Sequence, residues 1–225
     1  MNRRNFIRIA GTASTAIALM PVACAGQVRR KTGLILYTVR NEMAVDPLFT
    51  LDRIAALGYN WLEAASYDDG KIYGMKPSDF RSAVSTRGME LVSAHIGAIE
   101  SNIDKGVDSS AEAGLKYIVL PSLPRKWMES LDGYREAADF MNRAGEKCQQ
   151  AGMTFAFHNH KVEFYPLDDQ IPYNVLLDNT EPDLVSFQLD LAWIKGGGQQ
   201  AEDYFRKYPG RFELWHVKDL SAEGE

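Results

Sequence analysis

One unit recurs along this chain and limits its fold more than any other feature: an amphipathic stretch, a glycine near its end, then a short apolar run. It appears as Ala56-Leu57-Gly58-Tyr59 before Trp61-Leu62-Glu63 and as Thr86-Arg87-Gly88-Met89 before Leu91-Val92-Ser93. Glu112-Ala113-Gly114-Leu115 precedes Tyr117-Ile118-Val119-Leu120, and Gln150-Ala151-Gly152-Met153 precedes Thr154-Phe155-Ala156-Phe157. Tyr208-Pro209-Gly210-Arg211 leads into Phe212-Glu213-Leu214-Trp215 in the same way. Glycine suits this place because a helix commonly ends in a left-handed residue, which a Cβ penalises. Glycines 58, 88, 114 and 152 are spaced by 30, 26 and 38 residues, each enough for one helix and one strand. The gap to Gly210 holds a further apolar run, residues 185–190, and the chain opens with another at 33–39.

Seven strands alternating with helices predict a parallel sheet with right-handed crossovers. The strand cores are continuous apolar runs, as expected of strands covered on both faces. An open doubly wound sheet is the alternative, but it places a glycine-rich phosphate loop after its first strand, and Tyr37-Thr38-Val39-Arg40-Asn41 is not one. The expected fold is therefore α/β, a (β/α)8 TIM barrel over residues 33–225. Its 225 residues sit at the lower end for such barrels, and a seventh strand just before Glu225 predicts a barrel truncated after strand 7.

The N-terminus reads as targeting rather than fold. Arg3-Arg4 with Phe6 precedes an apolar, small-residue run that is short for a membrane span, resembling a twin-arginine export signal; a Sec signal is the alternative. Val22-Ala23-Cys24 offers a lipoprotein-type site, making Cys24 a possible lipid anchor beside simple cleavage. The expected organisation is signal 1–24, tether 25–32 and barrel, with the mature protein exported to the periplasm or held in the cell envelope. Cys148 would then be the lone cysteine of the domain, a core residue without a disulfide. The net charge is −5 with no basic block beyond the first residues, so nucleic acid is not an expected partner.

In a parallel barrel the chemistry gathers at the C-terminal strand ends. All four histidines, His95, His158, His160 and His216, fall at such ends, in strands 3, 5 and 7. Glu63 closes strand 2, Asp190 closes strand 6, and Lys218 and Asp219 follow strand 7. Strands 5, 6 and 7 would bring His158, Asp190 and His216 to one point, a mixed nitrogen and oxygen set suited to one divalent metal ion such as Mn, Zn, Co or Mg. A metal-free hydrogen-bonded network is the alternative. Aromatics near the rim, Tyr37, Tyr67, Trp127 and Trp193, would stack on a sugar or serve as packing. Gly196-Gly197-Gly198 reads as a flexible loop after strand 6.

His158-Asn159-His160 with Glu163-Phe164, then Phe187-Gln188-Leu189-Asp190, then His216-Val217-Lys218-Asp219-Leu220, resembles the sugar phosphate isomerase/epimerase family of xylose isomerase-like barrels. The relationship reaches inosose dehydratase, tagatose epimerase and the endonuclease IV fold. The resemblance implies metal ligands at Asp190 and His216, with the strand 5 ligand at His158 by register or at Glu163. The family's strand 8 glutamate would lie beyond residue 225. It also implies proton abstraction beside a sugar carbonyl, giving an isomerase or epimerase. His160 and Glu163 are then the proton-transfer candidates and Lys218 stabilises negative charge, while Tyr37, Glu63, His95 and Trp193 face the substrate. A keto-sugar lyase or 3-keto-glycoside-cleaving enzyme, a non-catalytic carbohydrate-binding barrel and an abasic-site endonuclease are the other readings. The expected partner is a small-molecule sugar or keto-sugar, with export arguing against a phosphorylated one; the oligomeric state is not legible.

Overall fold

The computed structural model describes residues 32–97 and 102–220. The export signal, Cys24 and residues 25–31 of the tether lie outside the described residues. Seven strands form one parallel sheet: β1 (Gly33–Ile35), β2 (Trp61–Ala64), β3 (Glu90–His95), β4 (Tyr117–Leu120), β5 (Thr154–His158), β6 (Val185–Asp190) and β7 (Leu214–His216). Each pairs with the next in sequence order. That order has no reversal point, which sets it apart from a doubly wound sheet. A small antiparallel hairpin, Tyr67–Asp68 with Lys71–Ile72, stands after β2.

Eight helices accompany the strands: α1 (Arg40–Val45), α2 (Pro47–Ala56), α3 (Pro77–Ser85), α4 (Ile103–Ala113), α5 (Leu131–Gln150), α6 (Pro172–Asn179), α7 (Leu191–Gly196) and α8 (Ala201–Lys207). Helix α5 shows how the sequence builds one. Ser130 caps it by accepting from Gly133 N at 3.1 Å. Tyr134, Ala137, Ala138, Met141, Ala144, Gly145 and Cys148 then repeat at helical spacing and form its buried face. Gly145 is required there, because a Cβ would stand 2.6 Å from Leu184 O. Gly114 ends α4 in the left-handed region at φ 68°, and the repeat glycines 58, 88, 152 and 210 share the positive φ.

The sheet is curled. A flat sheet would separate β2 from β7 by about 24 Å at the usual strand spacing. Instead Glu63 on β2 touches His216 on β7 at 2.7 Å. The core between sheet and helices is aromatic: Phe155, Phe157, Phe187 and Tyr173 are fully buried, with Phe187 meeting Phe157 and Tyr173 edge-on. Each such ring contributes about 1.5–3 kcal/mol through burial. The opening strand is shorter than the sequence predicts. After Ile35 the chain turns into a 3-10 segment, Leu36–Val39, that seats Leu36 in the core and leaves Tyr37 58% exposed.

Candidate metal centre and active site

Parallel strands bring their C-terminal ends to a single mouth, and these strands end in chemistry. His95, His158, Asp190 and His216 are the last residues of β3, β5, β6 and β7, and Glu63 is the penultimate residue of β2. His158, Asp190 and Glu63 are buried, while His95 and His216 are partly open.

Glu63 is the hub. Its Oε1 accepts from His216 Nε2 at 2.7 Å and lies 3.1 Å from His95 Nε2. Its Oε2 accepts from Ser93 Oγ at 2.6 Å and from Gln188 Nε2 at 2.7 Å. Burial alone would raise its pKa, but hydrogen bonds and charge from His216 and His95 outweigh burial and hold the carboxyl far below the usual range. His95 responds reciprocally: burial disfavours its charge, yet Glu63 raises its pKa overall. His158 lies deeper and has no such carboxylate partner. Burial, then repulsion from His216 and His95, pushes it down to about 2, so it is neutral throughout the physiological range.

His95, His158 and His216 each offer one ring nitrogen within 4.8 Å of the others. Because Glu63 engages His216 Nε2, the opposite nitrogen, Nδ1, is left for a ligand, and Asp190 Oδ2 lies 3.8 Å from it. Asp190 Oδ1 is occupied, accepting from Ala192 N at 3.0 Å and Trp193 N at 2.9 Å as the cap of α7. Its Oδ2 is therefore the oxygen turned to the site. Neutral imidazoles with a fixed carboxylate fit a divalent cation such as zinc, with Glu63 behind His216 as an orienting carboxylate. His95, His158 and His216 could hold an ion, with Asp190 Oδ2 beside His216. Of the residues expected to face the substrate, Glu63 bonds His216, His95, Ser93 and Gln188, and His95 stands with His158 and His216 as a third imidazole able to reach an ion.

The remaining candidates separate. His160 stays at the mouth, 5.1 Å from His158 and 5.8 Å from Trp193 between ring centroids, and burial lowers its pKa. Lys218 Nζ sits 3.8 Å from the Trp193 ring centroid, so cation and indole form one wall. Glu163, read as a proton-transfer or ligand candidate, is 1% exposed and turned inward. Its Oε2 accepts from His160 N at 2.7 Å, and burial pushes its pKa up to about 7. In that place it braces the loop carrying His160 rather than lining the mouth. Tyr37 is outside this cluster, with Arg40 4.7 Å above its ring. Trp127 is packing, buried against Phe140. Tyr67 hydrogen-bonds Ser109. Within the glycine run only Gly197 is tightly packed, where a Cβ would fall 2.5 Å from Phe164 Cβ, while Gly196 and Gly198 face open space.

Three residues that the sequence motifs contain but to which no role was given complete the site. Gln188 and Ser93 hold Glu63, and Asn159 fixes Asp190 by accepting from its N–H at 2.9 Å. Gln188 carried a signal: it is two residues before Asp190 in a wholly buried strand, so both share one face.

No profile of a known protein family matches the chain. It is similar to the inosose dehydratase of Geobacillus kaustophilus, 25% identical over 194 residues, which cover 76% of this chain and 61% of that protein. The chain thus spans less than two thirds of the length of this curated relative. A crystal structure of a sugar phosphate isomerase/epimerase from Parabacteroides distasonis superposes with a TM-score of 0.78 at 29% identity, over 91% of this chain and 82% of the other. The IOLI protein, solved with a zinc atom, superposes at 0.65 and 13% identity over 85% of this chain and 73% of its own. The fold is that of the xylose isomerase-like TIM barrels.

Proposed function

From a chain with this fold and this mouth, we propose a metal-dependent enzyme that enolises a sugar or keto-sugar, removing a proton from the carbon next to a carbonyl, as an isomerase or epimerase does. The observation that carries the reading is the convergence of His95, His158 and His216, each with a ring nitrogen within 4.8 Å of the others, with Asp190 Oδ2 3.8 Å from His216 Nδ1. A divalent cation held there would polarise the carbonyl and offset negative charge on the substrate's oxygens. His160, uncharged and at the mouth, takes the proton. Glu163 fixes the His160 backbone, so the ring is positioned without itself being a ligand. Lys218 and Trp193 form the wall on which an apolar sugar face rests, with the ammonium beside developing negative charge.

A second reading is loss of water or another β-substituent after the same proton abstraction, the outcome of a lyase; relatives named inosose dehydratase support it. One experiment separates the two. The zinc- or manganese-loaded chain is incubated with free and 3-keto sugars in D2O and followed by NMR and ultraviolet absorbance. Deuterium at carbon in a product of unchanged composition supports isomerisation or epimerisation. A conjugated enone supports elimination. Neither deuterium uptake nor product from any substrate would overturn the reading. We further propose that the enzyme works outside the cytoplasm, supported by the N-terminal arginine pair, with Cys24 as its anchor where lipidated. Normal export after Arg3→Lys with Arg4→Lys would contradict the twin-arginine route.

A further inference from the structure

Among the described residues, Gln188 is a polar side chain that contacts the Glu63 carboxylate and two of the clustered histidines, and its amide can be oriented in one way only. Glu63 receives four donors on its two oxygens, from His216, His95, Ser93 and Gln188. A carboxylate so used accepts and does not donate, so the atom of Gln188 facing Oε2 at 2.7 Å is the NH2. The amide oxygen therefore faces the opposite way, 3.1 Å from His158 Nδ1 and 2.9 Å from His95 Nε2. An amide oxygen can only accept. Each of those ring nitrogens must then carry a proton.

We infer that Gln188 is a positioning residue that sets the tautomer of His158: it holds the ring proton on Nδ1 and keeps Nε2 as the lone-pair nitrogen presented to a ligand. The order of command runs outward from a buried charge. Glu63 orients the Gln188 amide, and the amide orients His158. The same carboxylate takes the Nε2 proton of His216, leaving Nδ1 beside Asp190. One carboxylate thus sets two imidazoles to opposite tautomers, one directly and one through an amide, and each shows a bare nitrogen. The strand period makes this possible, because Gln188 pairs in register with His158 and lies two residues before Asp190. Burial fixes it, since Gln188 is 2% exposed and no solvent competes for its oxygen.

The inference deepens the metal-centre reading and rests on it for its purpose, but its test does not. Long-range 1H–15N correlation spectra of the 15N-histidine-labelled, metal-free full chain report the protonated nitrogen of each neutral ring. His158 is expected as the Nδ1–H tautomer in the wild type. Gln188→Leu removes the acceptor and should turn His158 to Nε2–H, with zinc affinity falling about 10- to 100-fold, the usual cost of losing an outer-shell partner. His158 found as Nε2–H in the wild type would overturn the inference, and that spectrum needs no variant to fold. An unchanged tautomer in a folded Gln188→Leu chain would overturn it equally. An Nδ1–H ring in a chain that binds no zinc would support the role of Gln188 while refuting the metal centre.

Discussion

The two ends of this barrel both bury polar side chains, and they treat them oppositely. At the floor, Arg211 lies just before β7, 7% exposed, over the Phe187 ring. Its guanidinium donates to Leu177 O at 2.9 Å, Thr180 Oγ1 at 2.7 Å and Val185 O at 3.4 Å, joining α6 to the start of β6. Nothing there converges on a shared point: the two terminal nitrogens are spent on backbone carbonyls and a hydroxyl, and the buried Nε meets no acceptor. At the mouth, histidines, an amide and a serine crowd onto one carboxylate, and nitrogens are left over. A network spent on backbone carbonyls of neighbouring elements holds a fold together. A network with surplus lone pairs aimed at one place is poised for a ligand.

The sharpest way to break this contrast is to remove a leftover nitrogen. His216→Ala should lower zinc affinity by more than the roughly 100-fold that outer-shell losses reach, while the one donor it takes from buried Glu63 should cost less in urea unfolding than the loss of Arg211. Equal loss of stability and affinity would mean that the mouth is structural like the floor. The mirror experiment is Arg211→Met, which leaves buried acceptors short of donors and should destabilise by about 3 kcal/mol. Zinc affinity of the folded variant, by calorimetry, should stay at the wild-type value. A subtler test concerns Glu163, which sits between the two regimes. Its pKa is raised by burial to about 7, so its favourable contribution is complete below the unfolded value near 4.5 and is lost as pH rises through 7. Glu163→Gln removes that dependence. Relative to wild type, the variant should gain about 2 kcal/mol between pH 5 and pH 8 in urea titrations. A constant gap across that range would show that the carboxyl titrates normally.

How much of this was legible beforehand follows the same division. Glycines 58, 88, 114, 152 and 210 announced the helix ends because a left-handed residue leaves a mark in sequence, and five of the seven strands follow them. The strand-end histidines and Asp190 were visible because a parallel sheet has one chemical end. What stayed hidden depends on which way a side chain turns after its strand stops. Glu163 follows β5 by five residues, and only the 3-10 turn Val162–Phe164 swings it inward to His160 N. Trp127 looked like a rim aromatic until Phe140 on α5 covered it. Glu63 and His95 read as substrate contacts because their partners, Ser93 and Gln188, lie far away in sequence or carry no charge. The glycine run looked mobile for want of its neighbour, Phe164.

The surroundings of one bound ion test the metal centre most directly. X-ray absorption spectra of the full chain carrying one equivalent of zinc should show nitrogen and oxygen ligands at about 2.0–2.1 Å, with the outer-shell scattering of imidazoles that His158→Ala reduces. A shell of oxygens alone, or zinc removed by simple dialysis, would contradict a metal centre built on these histidines.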